Sequence, residues 1–187
     1  MRCVVLALGG LMLAGGALAQ DVDAGRKVAG MCRTCHGLDG YAKIPIAPHI
    51  GGEPAAYLSA QLHAFKTGAR VHEMMTVVAS GLSDQQIADV SAWYASHTAV
   101  ATITANPDDA PELCVGCHGA DGIAVAEDAP NLAGETNIYI DTQLKAFRNG
   151  KRVHEVMSDI AADLTDVEIR AMADWYAAVG LKITATD

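Results

Sequence analysis

Apolar positions recur at helical spacing through most of the chain. Tyr57, Leu58, Leu62 and Phe65 fall on one face of a helix that starts at Pro54 and runs to about Thr67, with Gly68 ending it. Ile87, Val90, Trp93 and Tyr94 form the stripe of another, opened by the capping-box pattern Ser83-x-x-Gln86. Ile169, Met172, Trp175 and Tyr176 follow the equivalent Thr165-x-x-Glu168, and Gly150 closes the helix before them. Residues 23–36 also read as a helix, 37–53 as a loop rich in Gly and Pro, and 69–82 as an irregular or short helical segment. Strand character is confined to Ala101-Thr102-Ile103-Thr104 and Lys182-Ile183-Thr184, two runs that can pair where parts of the chain meet. The pattern predicts an all-α protein.

The pattern also repeats. From Cys32 to Ala95, 29 of 64 positions are identical to the residue 82 further on, without a gap. The matches include Asp39-Gly40 with Asp121-Gly122, Gly52-Glu53 with Gly134-Glu135, Gln61 with Gln143, and Arg70-Val71-His72-Glu73 with Arg152-Val153-His154-Glu155. The chain is a tandem duplication, divided into residues 20–97, a linker over 98–110 with the turn Asn106-Pro107-Asp108-Asp109, and residues 111–187. Ahead of it, residues 1–19 read as a secretory signal peptide: Arg2, an apolar run, then Ala17-Leu18-Ala19 at the cleavage site before Gln20. No other stretch reaches the roughly 20 apolar residues that span a bilayer, so the mature chain is expected to be exported and without a membrane span.

Composition sharpens this. Aromatic residues make up only 5%, few for filling two cores of about 80 residues, a size that usually needs a staple. The net charge of −9 argues against nucleic acid as a partner, because phosphate binding needs a basic surface. The acidity is uneven: residues 21–103 hold 6 basic and 7 acidic side chains, residues 104–187 hold 6 and 15. The second unit is therefore expected to dock on a basic patch of a redox partner.

Once Cys3 leaves with the signal, four cysteines remain in two runs, Cys32-Arg33-Thr34-Cys35-His36 and Cys114-Val115-Gly116-Cys117-His118. C-x-x-C-H is the covalent haem-attachment motif. Two thiols about one helical turn apart can add to both vinyl groups of a haem, and the adjacent histidine then lies under the iron as its proximal ligand. A four-cysteine zinc site would need the same pairs but not a histidine after each, and a redox dithiol usually sits in a βαβ setting. Two covalent haem c groups are therefore expected, on Cys32, Cys35 and His36 and on Cys114, Cys117 and His118, each forming the middle of a core that fails to fold without it.

The sixth iron position is assigned to Met75 and Met157, because of Met74 and Met75 only Met75 has a counterpart in the second unit. His72 and His154, three residues earlier, are rival ligands. Arg70 and Arg152 are candidate partners for haem propionates, which suit a guanidinium fork. With no cleft motif, nucleophile set or phosphate loop, the chemistry is expected to be one-electron transfer rather than catalysis.

The two C-x-x-C-H-G runs, Pro48-x-x-x-Gly52 and Pro130-x-x-x-Gly134, Met75 and Met157, and the Leu82-Ser83-Asp84 and Leu164-Thr165-Asp166 helix starts resemble the class I cytochromes c. Over residues 23–180 the chain is similar to the two-domain diheme cytochromes c of the c4 type, and to the diheme subunit of flavocytochrome c sulfide dehydrogenase. The resemblance implies two tandem class I cytochrome c domains. It also implies that the carbonyls of Pro48 and Pro130 receive the proximal histidines, and that the first and last helices of each domain cross, starting from Asp23-Ala24-Gly25-Arg26. Pro107 stands where Gly25 would repeat and Pro111 lies three residues before Cys114, so the second domain's first helix is expected to be short. The crossing is then in question there, and the linker is the candidate to replace it. The implied role is a periplasmic carrier of single electrons between a donor complex or dehydrogenase and a terminal acceptor such as an oxidase. The alternative is the electron-accepting subunit of a periplasmic dehydrogenase.

Overall fold

A computed structural model describes residues 19–185, so all of the expected signal peptide except Ala19 lies outside the described residues. Each unit is a set of four helices. In the first, α1 covers Val22–His36, α2 Ala55–Thr67, α3 Glu73–Ser80 and α4 Asp84–Ala95; in the second, α5 covers Glu112–His118, α6 Asn137–Arg148, α7 Glu155–Ala162 and α8 Asp166–Ala177. Two strands complete the described chain, β1 over His97–Thr102 and β2 over Gly180–Ala185.

Local chemistry explains the boundaries. The Asp21 side chain accepts from the Ala24 N–H and starts α1. Pro54 keeps an extended ψ of 131°, so α2 begins one residue later, and Gly68 ends it in the left-handed region at φ 80°. Both expected capping boxes are formed, Ser83 with Gln86 and Thr165 with Glu168. The segment holding Met75 becomes helix α3, started by an unusual cap: His72 Nδ1 accepts from the N–H groups of Met74 and Met75 at 3.3 and 3.4 Å.

In the first unit α1 crosses α4, burying Ala29, Val90 and Tyr94 with Leu58 of α2. Gly25 makes the crossing possible. A Cβ there would lie 2.0 Å from the Asp89 carbonyl oxygen and 2.9 Å from the Trp93 Cβ. Gly25→Ala is therefore expected to destabilise the first unit by about 1–3 kcal/mol, the usual range for overpacking, with the second unit unaffected; denaturant unfolding followed at each unit checks this.

The second unit solves the same problem differently. Helix α5 has 7 residues and makes no comparable crossing with α8. The linker packs in its place. Ala101, Ala105 and Ala110 lie against the core of Ile140, Leu144, Ile169, Ala173 and Tyr176. The Trp175 indole N–H donates to the Asn106 carbonyl at 3.1 Å, and the Thr104 hydroxyl donates to the Ala178 carbonyl. In the first unit the matching indole, Trp93, donates instead to Leu38 within its own haem-motif loop, at 3.0 Å.

The expected strand runs do pair. β1 and β2 form an antiparallel ribbon, with Ala101 opposite Leu181 and Ala99 opposite Ile183. β1 begins at His97, four residues before the strand character visible in sequence, because its first residues alternate between buried and exposed only in the context of β2.

Candidate functional site

Each C-x-x-C-H run forms the last turn of a helix, α1 or α5, so both thiols and the histidine are presented within one turn. Gly37 and Gly119 then break the helices at φ 75° and 77°. Neither could carry a side chain, since a Cβ would strike the carbonyl oxygen of Tyr41 or of Ile123 at 2.4 and 2.0 Å. None of the four cysteines is paired in a disulfide; Cys32, Cys35 and Cys114 are half-buried and Cys117 is exposed. Among the described residues no three His, Cys, Asp or Glu side chains converge on a point that could hold a metal ion, so the pairs do not assemble a four-cysteine site.

His36 and His118 are buried. The Nδ1 of His36 lies 2.9 Å from the Pro48 carbonyl oxygen, and that of His118 lies 2.8 Å from the Pro130 carbonyl oxygen. A carbonyl only accepts, so Nδ1 carries the proton and Nε2 keeps its lone pair. Burial lowers both pKa values, which holds the rings neutral. A neutral imidazole with a free Nε2 and an oriented Nδ1–H is the donor that haem iron takes. With two thiols beside it, this donor set fits a covalent haem in each unit.

Met75 and Met157 are half-buried on the first turns of α3 and α7, while Met74 is exposed. Met157 packs against the core of its unit. The rival ligands have other work. His154 caps α7 as His72 caps α3, its Nδ1 accepting from Val156 and Met157. A ring whose Nδ1 accepts carries its proton on Nε2, leaving neither nitrogen free for iron.

Arg70 and Arg152 lie at the seam between units. Each guanidinium stacks on a phenylalanine of its own unit, Phe65 or Phe147, at 4.5 and 4.4 Å. Arg70 donates to Gln61 at 2.6 Å and across the seam to Gln143 at 2.8 Å; Arg152 donates to Gln143 at 2.9 Å and across to Gln61 at 3.1 Å and the Tyr57 hydroxyl at 3.2 Å.

Two more pairs bridge the units, and sequence reasoning missed them. The Asn131 N–H donates to both Glu53 oxygens, at 2.9 and 3.1 Å, and the His49 N–H donates to Glu135 Oε1 at 2.7 Å. The signal was present, since Glu53 and Glu135 are among the repeated identities. Their partners are backbone groups, which leave no trace in a sequence.

Comparison with known proteins bears directly on this arrangement. Residues 22–98 match the family described as Cytochrome c, and residues 110–175 match Cytochrome C oxidase, cbb3-type, subunit III. The chain is 32% identical to a cytochrome c4 of Pseudomonas aeruginosa, over 92% of this chain and 93% of that one. It is also 32% identical to a thiosulfate dehydrogenase electron acceptor of Stutzerimonas stutzeri, over 82% and 81%. The crystal structure of reduced recombinant cytochrome c4 from Pseudomonas stutzeri superposes with a TM-score of 0.76 at 28% identity, covering 87% of this chain and 100% of that one. The two units are therefore cytochrome c domains, they carry two covalent haem c groups, and the chain belongs to the cytochrome c4-type diheme class I cytochromes c.

Proposed function

We propose that the protein is an exported, periplasmic electron carrier that takes single electrons from a donor complex or dehydrogenase and passes them to a terminal acceptor such as an oxidase. Cys32 and Cys35 hold one haem and Cys114 and Cys117 the other. His36 and His118 are the proximal ligands, and Met75 and Met157 fill the sixth positions. Arg70 and Arg152 serve the haem carboxylates. Bound in this way, haem supplies a one-electron couple. The chain supplies ligands, burial and docking surfaces.

The observation that carries the reading is a difference between two otherwise matched faces. In the second unit Val125 and Ala126 donate through their backbone N–H groups to the Cys117 carbonyl, which brings exposed Glu127 and Asp128 close to the end of the haem-motif helix, whose start carries exposed Glu112 and Leu113. In the first unit Lys43 donates to the Cys35 carbonyl at 2.7 Å, and the equivalent positions are Gly30, Met31, Pro45 and Ile46, with exposed Arg33 close by. One face is acidic around an apolar centre, and the other is apolar with a basic rim. Two faces of opposite character suit two different partners. Among the described residues no helix is long and apolar enough to cross a membrane, which suits a carrier that moves between complexes.

The relationship to thiosulfate dehydrogenase electron acceptors supports a second reading, a cytochrome subunit held permanently by a dehydrogenase. One kinetic experiment separates the two. A carrier docking through Glu112, Glu127 and Asp128 is expected to reduce a basic acceptor in a second-order reaction, slowing about tenfold or more between low and physiological salt as its charges are screened. A permanent subunit transfers within its complex, at a rate independent of both concentration and salt. A second-order rate that stays flat with salt would remove the acidic docking face.

A further inference from the structure

The two cross-unit carboxyls do more than hold the seam. The peptide between Pro130 and Asn131 has both its polar groups in use. Its carbonyl oxygen receives His118 Nδ1–H at 2.8 Å, and its N–H donates to Glu53 of the other unit. The peptide between Pro48 and His49 does the same in reverse, receiving His36 at 2.9 Å and donating to Glu135 at 2.7 Å. One planar amide thus separates each proximal histidine from a buried carboxyl of the opposite unit.

The arrangement is built twice with different residues. The Asn131 side chain accepts from Ala124 and donates to Gly52 at 3.1 Å. His49 accepts from Ala42 at Nδ1, and its Nε2 lies 3.0 Å from the Gly134 carbonyl oxygen. Imidazole and carboxamide are among the few side chains that accept and donate at once. A mere spacer would not need that ability. At this position the histidine and asparagine differ in sequence yet make matching bonds, so the clamp on each peptide persists although the residues have diverged.

We propose that Glu53 and Glu135 are positioning residues that tune the haem of the opposite unit, Glu53 acting on His118 through the Pro130–Asn131 peptide and Glu135 acting on His36 through the Pro48–His49 peptide. The inference rests on His36 and His118 being the iron ligands. An anionic carboxylate at the N–H draws the amide toward its polar form and makes the carbonyl a stronger acceptor. A stronger bond at Nδ1 makes the imidazole a more basic ligand. That favours ferric iron and lowers the potential. A neutral carboxyl does this less, so each haem reads the ionisation of a group in the other unit.

Both carboxyls are poised to change state. Burial pushes Glu53 up to about 8 and Glu135 well above the usual carboxylate range, and Glu135 Oε2 has no partner. Glu53 is faced by Glu135 and by Tyr57, which Arg70 and Arg152 in turn face. Glu135 is faced by Glu53 and by the neutral His49, with Asp39 and Lys43 beyond it.

The test is a redox titration of the holoprotein on both sides of pH 8, the two haems being told apart by the ring-proton signals of His36 and His118. In the wild type the second haem's ferric-to-ferrous ratio at fixed potential is expected to rise threefold to tenfold on the alkaline side, tenfold being about 59 mV for one electron. Glu53→Gln keeps an acceptor for the Asn131 N–H but cannot ionise. It should flatten that profile for the second haem, while the first haem keeps a pH-dependent profile, displaced only as far as Glu135 titrates without a charged Glu53 beside it; Glu135→Gln should do the converse. A flattened profile in the haem of the variant's own unit, equal flattening in both, or unaltered profiles would overturn the proposal. His118→Ala runs in parallel. If the second haem's spectrum does not change, the ligand assignment fails and the proposal with it. If the spectrum changes but the Glu53→Gln profile matches the wild type, the proposal alone fails.

Discussion

A chain in which Cys114 and Cys117 are both replaced by serine is expected to carry one haem instead of two and to lose its second unit as a folded body. The haem-to-protein ratio should halve, and limited proteolysis should leave a fragment close to residues 20–97. The reason is the size of the remaining core. A single core of about 80 residues supplies only some 3–5 kcal/mol, and the second unit has less helix to work with than the first. Its α5 is 7 residues against 15 for α1, and alanines of the linker stand in for a helix crossing. The matching change at Cys32 and Cys35 should be milder, because α1 stays docked on α4 through Gly25 and through the bond from the Asp21 N–H to the buried Asp89 carboxylate, 2.9 Å. Equal protease resistance of the Cys114/Cys117 variant and the wild type would show that haem is not the staple of that core.

Glu53 should also make stability depend on pH in an unusual direction. Most carboxyls in folded proteins sit at or below their ordinary pKa and favour the fold as pH rises. Burial raises Glu53 from 4.5 to about 8. Between those values the folded chain keeps a proton that the unfolded chain releases, so this group's contribution is full below 4.5 and is lost as pH climbs to 8. The slope is about 1.4 kcal/mol per pH unit, a few kcal/mol across the window. Other titrating groups add slopes of their own. Comparison with Glu53→Gln cancels them. Denaturant unfolding at several pH values should find the wild type losing ground to Glu53→Gln steadily from 4.5 to 8 and level beyond. A constant difference across that range would mean that Glu53 ionises as freely in the folded chain as in the unfolded one.

What the sequence made legible, and what it hid, divides along the range of the interaction. Local chemistry was readable. Ser83 with Gln86 and Thr165 with Glu168 mark helix starts because both partners lie within one turn, and the short α5 follows from Pro107 and Pro111. The paired runs after Cys32 and Cys114 were equally plain, since a covalent attachment demands fixed spacing. The haem-motif histidines meet Pro48 and Pro130 as the family resemblance implied. His72 and His154 stood as rivals to the methionines because imidazole rarely caps a helix, and nothing in residue identity tells a capping nitrogen from a ligating one. Arg70 and Arg152 were read as candidate partners for haem propionates, and nothing in the sequence foretold that they lace Gln61 to Gln143 across the seam. Glu53 and Glu135 stood among the repeated identities, but their role was not legible. An acid that pairs with a backbone N–H some 80 positions away has no complementary charge to betray it.

The ribbon of β1 with β2 ties the last described residues of the chain to the residues that leave the first unit. It acts as a clasp: the chain departs from the first unit at His97, makes the whole second unit, and returns to fasten where it left. Covalent continuity through residues 103–111 is then not what keeps the halves together. A chain nicked there would still migrate as one particle under native conditions, and would part into two haem-bearing pieces only when unfolded. A label placed within β2 therefore reports on the joint between the units.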